Sequence, residues 1–248
     1  MESAASQKIV EKILAAHGGL AWWQGTEALD AEISARGFLF TMKRRPVLNH
    51  VRVTAKVHLP HFIFHDFPSP GLTAEILGEE EVRIVGADGA VVARRLQPRA
   101  AMGSLRRNFY WDDLDFVYFG GYATWNYLLT PYLLCHQGVS CELLAETGDL
   151  PPGWMRLGVT FPDHFPTHCR HQTFIFDDRL DLRRLDYTAE VIGSWARAAH
   201  LCGEYRDFDG LRAPTRRRVL PLLFGQQPLP GPTLVALDVH NLRPRPFG

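Results

Sequence analysis

The chain has 248 residues, 46% of them hydrophobic and 22% charged, which supplies a sizeable core for one β-rich domain spanning 1–248 and excludes an intrinsically disordered chain. Lys and Arg number 27 and Asp and Glu also 27, so the broad positive field that neutralises nucleic-acid phosphates is missing and no nucleic-acid partner is expected. Four cysteines, Cys135, Cys141, Cys169 and Cys202, fall at unrelated spacings with no Cys-x-x-Cys pair; they are expected as reduced, mostly buried thiols, not as a zinc knuckle or disulfide framework.

Residues 1–7 are polar and show neither an apolar signal core nor a small-residue cleavage site, which leads us to expect a cytoplasmic protein. Ser6 is placed to cap a helix whose apolar stripe is Ile9, Val10, Ile13 and Leu14, with Gly18 and Gly19 as the left-handed stop after His17. Beyond Trp22 and Trp23 the period changes to two: Leu29, Ile33 and Ala35 alternate with Asp30, Glu32, Ser34 and Arg36, as on a half-buried strand. Strand-like runs come next at 38–43, 48–58, 62–67, 72–77, 81–85 and 91–96, with Ala87-Asp88-Gly89 as a hairpin turn. The second half repeats the style at 140–146, 155–161, 173–177, 182–191, 196–205, 214–220 and 234–240, and the Pro-rich stretch 228–232 suits a long hairpin connection.

The segment 109–132 interrupts this pattern: ten of its 24 residues are aromatic, out of 28 in the whole chain. Asp112, Asp113 and Asp115 favour a helix start through the macrodipole, and Gly120-Gly121 and Pro131 are expected to interrupt the helix beyond that start. No Asp, Glu, Lys or Arg occurs over 116–141, a length that would cross a bilayer as one helix. Its four tyrosines, Asn126, two glycines and mid-segment proline instead suit helices packed against a sheet.

A helix ending in His17-Gly18-Gly19-Leu20, then Trp22 and Trp23, then meandering strands, resembles the superfamily of bacterial lipoprotein carriers and outer-membrane lipoprotein receptors, the LolA/LolB-like proteins. The later runs Gln172-Thr173-Phe174-Ile175-Phe176-Asp177, Arg184-Leu185-Asp186-Tyr187, Phe208-Asp209-Gly210-Leu211 and Pro214-Thr215-Arg216-Arg217-Arg218 fit the same succession. The resemblance implies an α+β fold, mainly antiparallel β: an unclosed half-barrel whose concave face is covered by helices, with a hydrophobic cavity between. Carriers of that superfamily hold acyl chains there. This chain shows no export signal and no lipidation cysteine, so the cargo is expected to differ while the fold is kept.

Among candidate chemical groups, His58, His61, His65 and Asp66 have poor metal spacing, since Pro60 breaks the strand between them, and no metal is expected. His164, His168, Cys169, Arg170 and His171 precede a strand; His168 with Arg170 would face one way and Cys169 with His171 the other, and a neutral imidazole here suits a general base. On the strand at 182–191, Arg184, Asp186 and Thr188 alternate with Leu185, Tyr187 and Ala189, and Asp186 pairs with His200 across the sheet if the register permits. The alternative is a solvated charge ladder of Arg184, Asp186, Glu204 and Arg217. No Gly-x-Ser-x-Gly elbow, phosphate loop or dinucleotide fingerprint occurs, so no cofactor is expected.

The expected function is binding of a hydrophobic small molecule, lipid, polyketide or terpenoid-like, in an apolar pocket. Trp111, Tyr118, Tyr122, Trp125 and Tyr127 line its mouth and Arg184 contacts the guest, while the Phe residues stay in the core. Two activities fit such a pocket: a cofactor-independent isomerase, cyclase or lyase using His168, Asp186, Tyr187 and His200, or a non-catalytic intracellular carrier or sensor. A membrane-surface role for the aromatic segment is a third.

Overall fold

The computed structural model describes residues 4–145, 148, 150–222 and 227–248. Helix α1 (Ala4–Ala16) buries Val10, Ile13 and Leu14 and ends where Gly18, at φ 102°, turns the chain so that Gly19 N donates to Leu14 O at 2.8 Å. Ser6 lies inside this helix, not at its cap, and its hydroxyl accepts from Leu143 N. Residues 1–3 of the polar start lie outside the described residues.

The short helix α2 (Leu20–Gln24) leads into β1 (Thr26–Arg36), on which Leu29, Ala31, Ile33 and Ala35 are buried. The run at 38–43, expected as a strand, is instead helix α3 (Phe38–Met42). Gly37 explains the break: at φ 138° a Cβ there would lie 2.4 Å from Leu234 O, so only glycine lets the chain turn against that backbone. Then come β2 (Leu48–Lys56), β3 (His61–His65), β4 (Leu72–Leu77), β5 (Glu81–Gly86) and β6 (Val91–Leu96).

After a one-turn helix α4 (Pro98–Ala101), the aromatic segment forms α5 (Asp113–Leu129), unbroken over 17 residues. Asp112 caps it, accepting from Asp115 N at 2.9 Å while Asp115 accepts from Asp112 N at 3.2 Å. Gly120 and Gly121 do not interrupt it. Gly121 lets it lie close to the sheet, since a Cβ there would reach 3.0 Å from Ile76 Cγ2. No helix among the described residues is long and apolar enough to cross a membrane.

Seven strands complete the chain: β7 (Ser140–Leu143), β8 (Met155–Thr160), β9 (His171–Phe176), β10 (Leu182–Thr188), β11 (Arg197–Phe208), β12 (Leu211–Pro221) and β13 (Val235–Pro246). Glu146, expected within the first of these, lies outside the described residues. All thirteen form one antiparallel sheet in the order β6-β5-β4-β3-β2-β1-β13-β12-β11-β10-β9-β8-β7. The first and last strands pair at its centre, and the free edges β6 and β7 are consecutive in sequence. The segment joining them therefore crosses the face of the sheet, which is how α5 comes to pack on β2 to β6. The result is the expected α+β unclosed half-barrel, its core between sheet and α5.

Candidate functional site

Two features meet beneath α5, and Tyr127 belongs to both. The first is an apolar cavity of about 40 Å³ between α5, α3 and the inner face of β1, β3 and β13. Ala35 of β1 and Leu237 of β13 are register partners and form part of its floor. Phe40, Phe64, Phe116 and Phe119 form much of its wall, and Lys43 and Arg45 also belong to its lining.

The second feature is a buried polar relay on the other side of Tyr127. The His168 imidazole lies between two tyrosines, with Nδ1 3.1 Å from the Tyr122 hydroxyl and Nε2 2.8 Å from that of Tyr127. In the neutral ring one of these nitrogens donates and the other accepts. Tyr127 and Tyr187 hydroxyls are 3.2 Å apart, and the Tyr187 ring stacks on His168 at 4.1 Å with an interplanar angle of 6°.

The loop bearing His168 is pinned by polar side chains: Asn126 donates to Pro166 O at 2.6 Å, Arg99 to Thr167 O at 2.8 Å, and Gln172 to the Thr167 hydroxyl at 2.7 Å. Because it is a loop and not a strand entry, Thr167, His168 and Cys169 are all buried together, while Arg170 and His171 are exposed; the expected alternation does not occur. Burial, with the Arg99 charge adding to it, lowers the His168 pKa to about 3. Burial likewise raises Tyr122, Tyr187 and Tyr127, the last to about 12. The relay is neutral throughout.

The register decides the remaining expected residues. His200 stands opposite Leu185, and Asp186 opposite Ala199, so Asp186 and His200 lie on opposite faces and do not pair. Asp186 is held instead by Arg184, through Nε at 2.6 Å and Nη2 at 2.8 Å, which also takes Arg184 away from the cavity. His200 is fully buried with its ring 4.3 Å from Tyr127, neither ring nitrogen has a hydrogen-bond partner among the described residues, and burial pushes its pKa well down.

Arg217, expected on a solvated face, is 3% exposed. It pairs in register with Leu237 on the inner face, donates Nη1 to Cys202 Sγ at 3.2 Å and Nη2 to Tyr127 O, and makes no ion pair among the described residues. The Tyr127 carbonyl belongs to the last turn of α5, where helix carbonyls lack intrahelical partners and a cation is favourable. The alternation Thr215, Arg217, Val219, all buried, carried this signal in the sequence; the neighbouring Arg216 and Arg218 hid it.

Of the aromatic residues expected at a pocket mouth, Trp111 and Tyr127 line the cavity, whereas Tyr118, Tyr122 and Trp125 are packed into the core. All five are buried, and four of the six aromatic residues in the cavity lining are phenylalanines, so Phe residues are not confined to the core as expected. The histidines of the 58–66 stretch go to separate partners: His58 to Thr26 O, His61 to Glu75 and His65 to the Thr54 hydroxyl.

An open antiparallel half-barrel with a helix laid across its face defines a structural class, and known structures share it. A LolA superfamily protein from Nitrosomonas europaea matches with a TM-score of 0.54 over 98% of this chain and 94% of that one, at 13% identity. A DUF1329 family protein from Desulfovibrio piger matches with a TM-score of 0.51 over the same shares, at 15% identity. The chain thus has a LolA-like fold; at these identities the likeness concerns the fold alone. No protein-family model matches the chain, and no curated protein sequence does.

Proposed function

We propose that the chain binds a hydrophobic small molecule, of lipid, polyketide or terpenoid type, in the hollow beneath α5, and that it holds its guest as a carrier or sensor. The observation that carries this reading is the apolar cavity between α5, α3 and the paired strands β1 and β13. At about 40 Å³ it has room for little more than a water or two, whereas sites for drug-sized ligands run to several hundred Å³. A guest therefore enters by displacing side chains. The side chains proposed to give way are Leu39 and Phe40 of α3, a five-residue helix in the cavity wall.

Holding is favoured over turnover because the relay groups His168, Tyr122, Tyr127 and Tyr187 are neutral at physiological pH. An imidazole with a pKa near 3 is a poor general base, and Asp186, the carboxylate expected beside His200, is on the other face of the sheet. The test is extraction of the purified full chain with organic solvent and mass spectrometry of the extract. An apolar molecule recovered in near-stoichiometric amount supports the reading, and its absence, together with failure of any apolar probe to bind, overturns it.

One observation favours a second reading: the Tyr127 hydroxyl joins the relay while its side chain borders the cavity. A cofactor-independent isomerase, cyclase or lyase would use Tyr127 as the donor at the guest, with His168 and Tyr187 behind it. Incubation with the extracted molecule distinguishes the two, since a carrier returns it unchanged.

A further inference from the structure

The cavity lining is mostly apolar; besides Thr124 and Tyr127 it carries two cationic side chains, Lys43 and Arg45, and no acidic one among the described residues. Lys43 is 2% exposed; its Nζ donates to the carbonyls of Arg107 and Asn108, each at 2.9 Å, and lies 5.2 Å from the centre of the Trp111 ring. An ammonium has three N–H donors, so two are used and one remains. Lys43 makes no ion pair among the described residues.

Arg45 is arranged alike. It donates Nη2 to Asp113 and Nη1 to Trp111 O at 3.3 Å, and its side chain, 10% exposed, carries a buried Nε with no hydrogen-bond partner among the described residues. A buried ammonium with no counter-charge costs several kcal/mol, and so does a buried donor left unmatched, though less. Both costs fall in the lining of a mostly apolar space. A guest that ends in anionic oxygen relieves both at once, whereas a neutral one leaves the Lys43 charge without a counter-charge and a cationic one adds repulsion.

On the reading that the cavity takes an apolar guest, we infer that this guest is an anionic amphiphile: its carboxylate is held by Lys43 Nζ and Arg45 Nε, and its apolar chain lies against Leu39, Phe64, Phe119 and Leu237. Asp113 stays on Arg45 Nη2, so the guanidinium serves both carboxylates through different nitrogens. The burial that lowers the Lys43 pKa also makes its ammonium the group most stabilised by such a partner.

Three probes of equal chain length test this on the full chain by isothermal titration: dodecanoate, dodecanol and dodecyltrimethylammonium. Dodecanoate is expected to bind at least about tenfold tighter than dodecanol, and the ammonium weakest, because a charge-assisted contact in a dry site distinguishes them. Lys43→Met is expected to weaken dodecanoate by about tenfold and leave dodecanol within about twofold, and Arg45→Lys to weaken dodecanoate by roughly threefold while keeping the charge. If Lys43→Met does not fold, the order of the three probes on the unaltered chain decides. Equal binding of dodecanoate and dodecanol overturns the anionic end and leaves the apolar-guest reading standing. Binding of none of the three overturns both.

Discussion

The Tyr127 hydroxyl lies 2.8 Å from Nε2 of His168, and this contact ties the last turns of α5 to the loop that leads into β9. The same hydroxyl is 3.2 Å from that of Tyr187 on β10, so one oxygen links a helix, a loop and a strand. Tyr127→Phe removes it with little change of volume and leaves a buried imidazole nitrogen and a buried hydroxyl each short of a partner. The expected loss of stability is about 1–3 kcal/mol, read as a lower urea midpoint at unchanged slope. A variant as stable as the parent would mean that the three elements are held without the relay.

Acid should loosen the fold through the buried histidines His17, His168 and His200, whose pKa values burial lowers. His168 resists protonation down to a pH of about 3 and His200 is likewise shifted down, whereas in the unfolded chain both take a proton near pH 6.5. The unfolded state then binds more protons below pH 6.5, so stability is complete above that pH and falls as pH drops toward 3. Between pH 7 and 5.5 His168 and His200 should each cost about 1 kcal/mol. His200→Phe keeps an aromatic ring beside Tyr127, removes two unpartnered nitrogens and should remove about 1 kcal/mol of that fall. Denaturant titrations of both proteins at the two pH values check this, and parallel pH profiles would refute it.

The architecture was legible in the sequence because period-two alternation survives wherever a strand has one wet face, as on β1 and β10. The register was not. Whether Asp186 meets His200 depends on a one-residue offset that alternation alone leaves open, and the offset found puts them on opposite faces. The run 38–43 failed for another reason, since its helix is imposed by Gly37 against Leu234, a contact distant in sequence. His168 was legible as a candidate but not in its environment, because the tyrosines that flank it come from α5, 41 and 46 residues away. Arg217 was missed because composition favours solvated arginines, and its burial comes from capping a helix that sequence reading had broken at Gly120-Gly121.

Those adjacent glycines should respond oppositely to alanine. Gly120 borders the cavity, and a Cβ there meets only Phe64 Cζ at an ordinary 3.6 Å. Gly120→Ala should therefore gain roughly 0.5–1 kcal/mol of helix propensity while narrowing the hollow, raising the melting temperature and weakening the binding of an apolar probe. At Gly121 the added Cβ lies 3.0 Å from Ile76 Cγ2, so Ile76 must shift and the propensity gain is offset. Thermal melts and probe titrations of the two variants side by side settle the matter. Equal effects would show that the helix does not rest on β4 through Gly121.

Arg217 sets two opposing terms against each other. Its contact with Tyr127 O caps α5 and contributes about 1 kcal/mol, up to about 2 in a buried setting. Against this stands the desolvation of a guanidinium with no carboxylate partner among the described residues, several kcal/mol even after relaxation. Arg217→Met retains an unbranched apolar stem in the same space and removes the charge, so the variant should be at least as stable as the parent in urea at pH 7. If so, the arginine stands where stability alone would not place it, beside Tyr127 and next to a cavity-lining strand position at Leu237, and probe affinity is the property expected to change. A loss above about 3 kcal/mol would show instead that the charge is matched within the fold and that Arg217 serves structure.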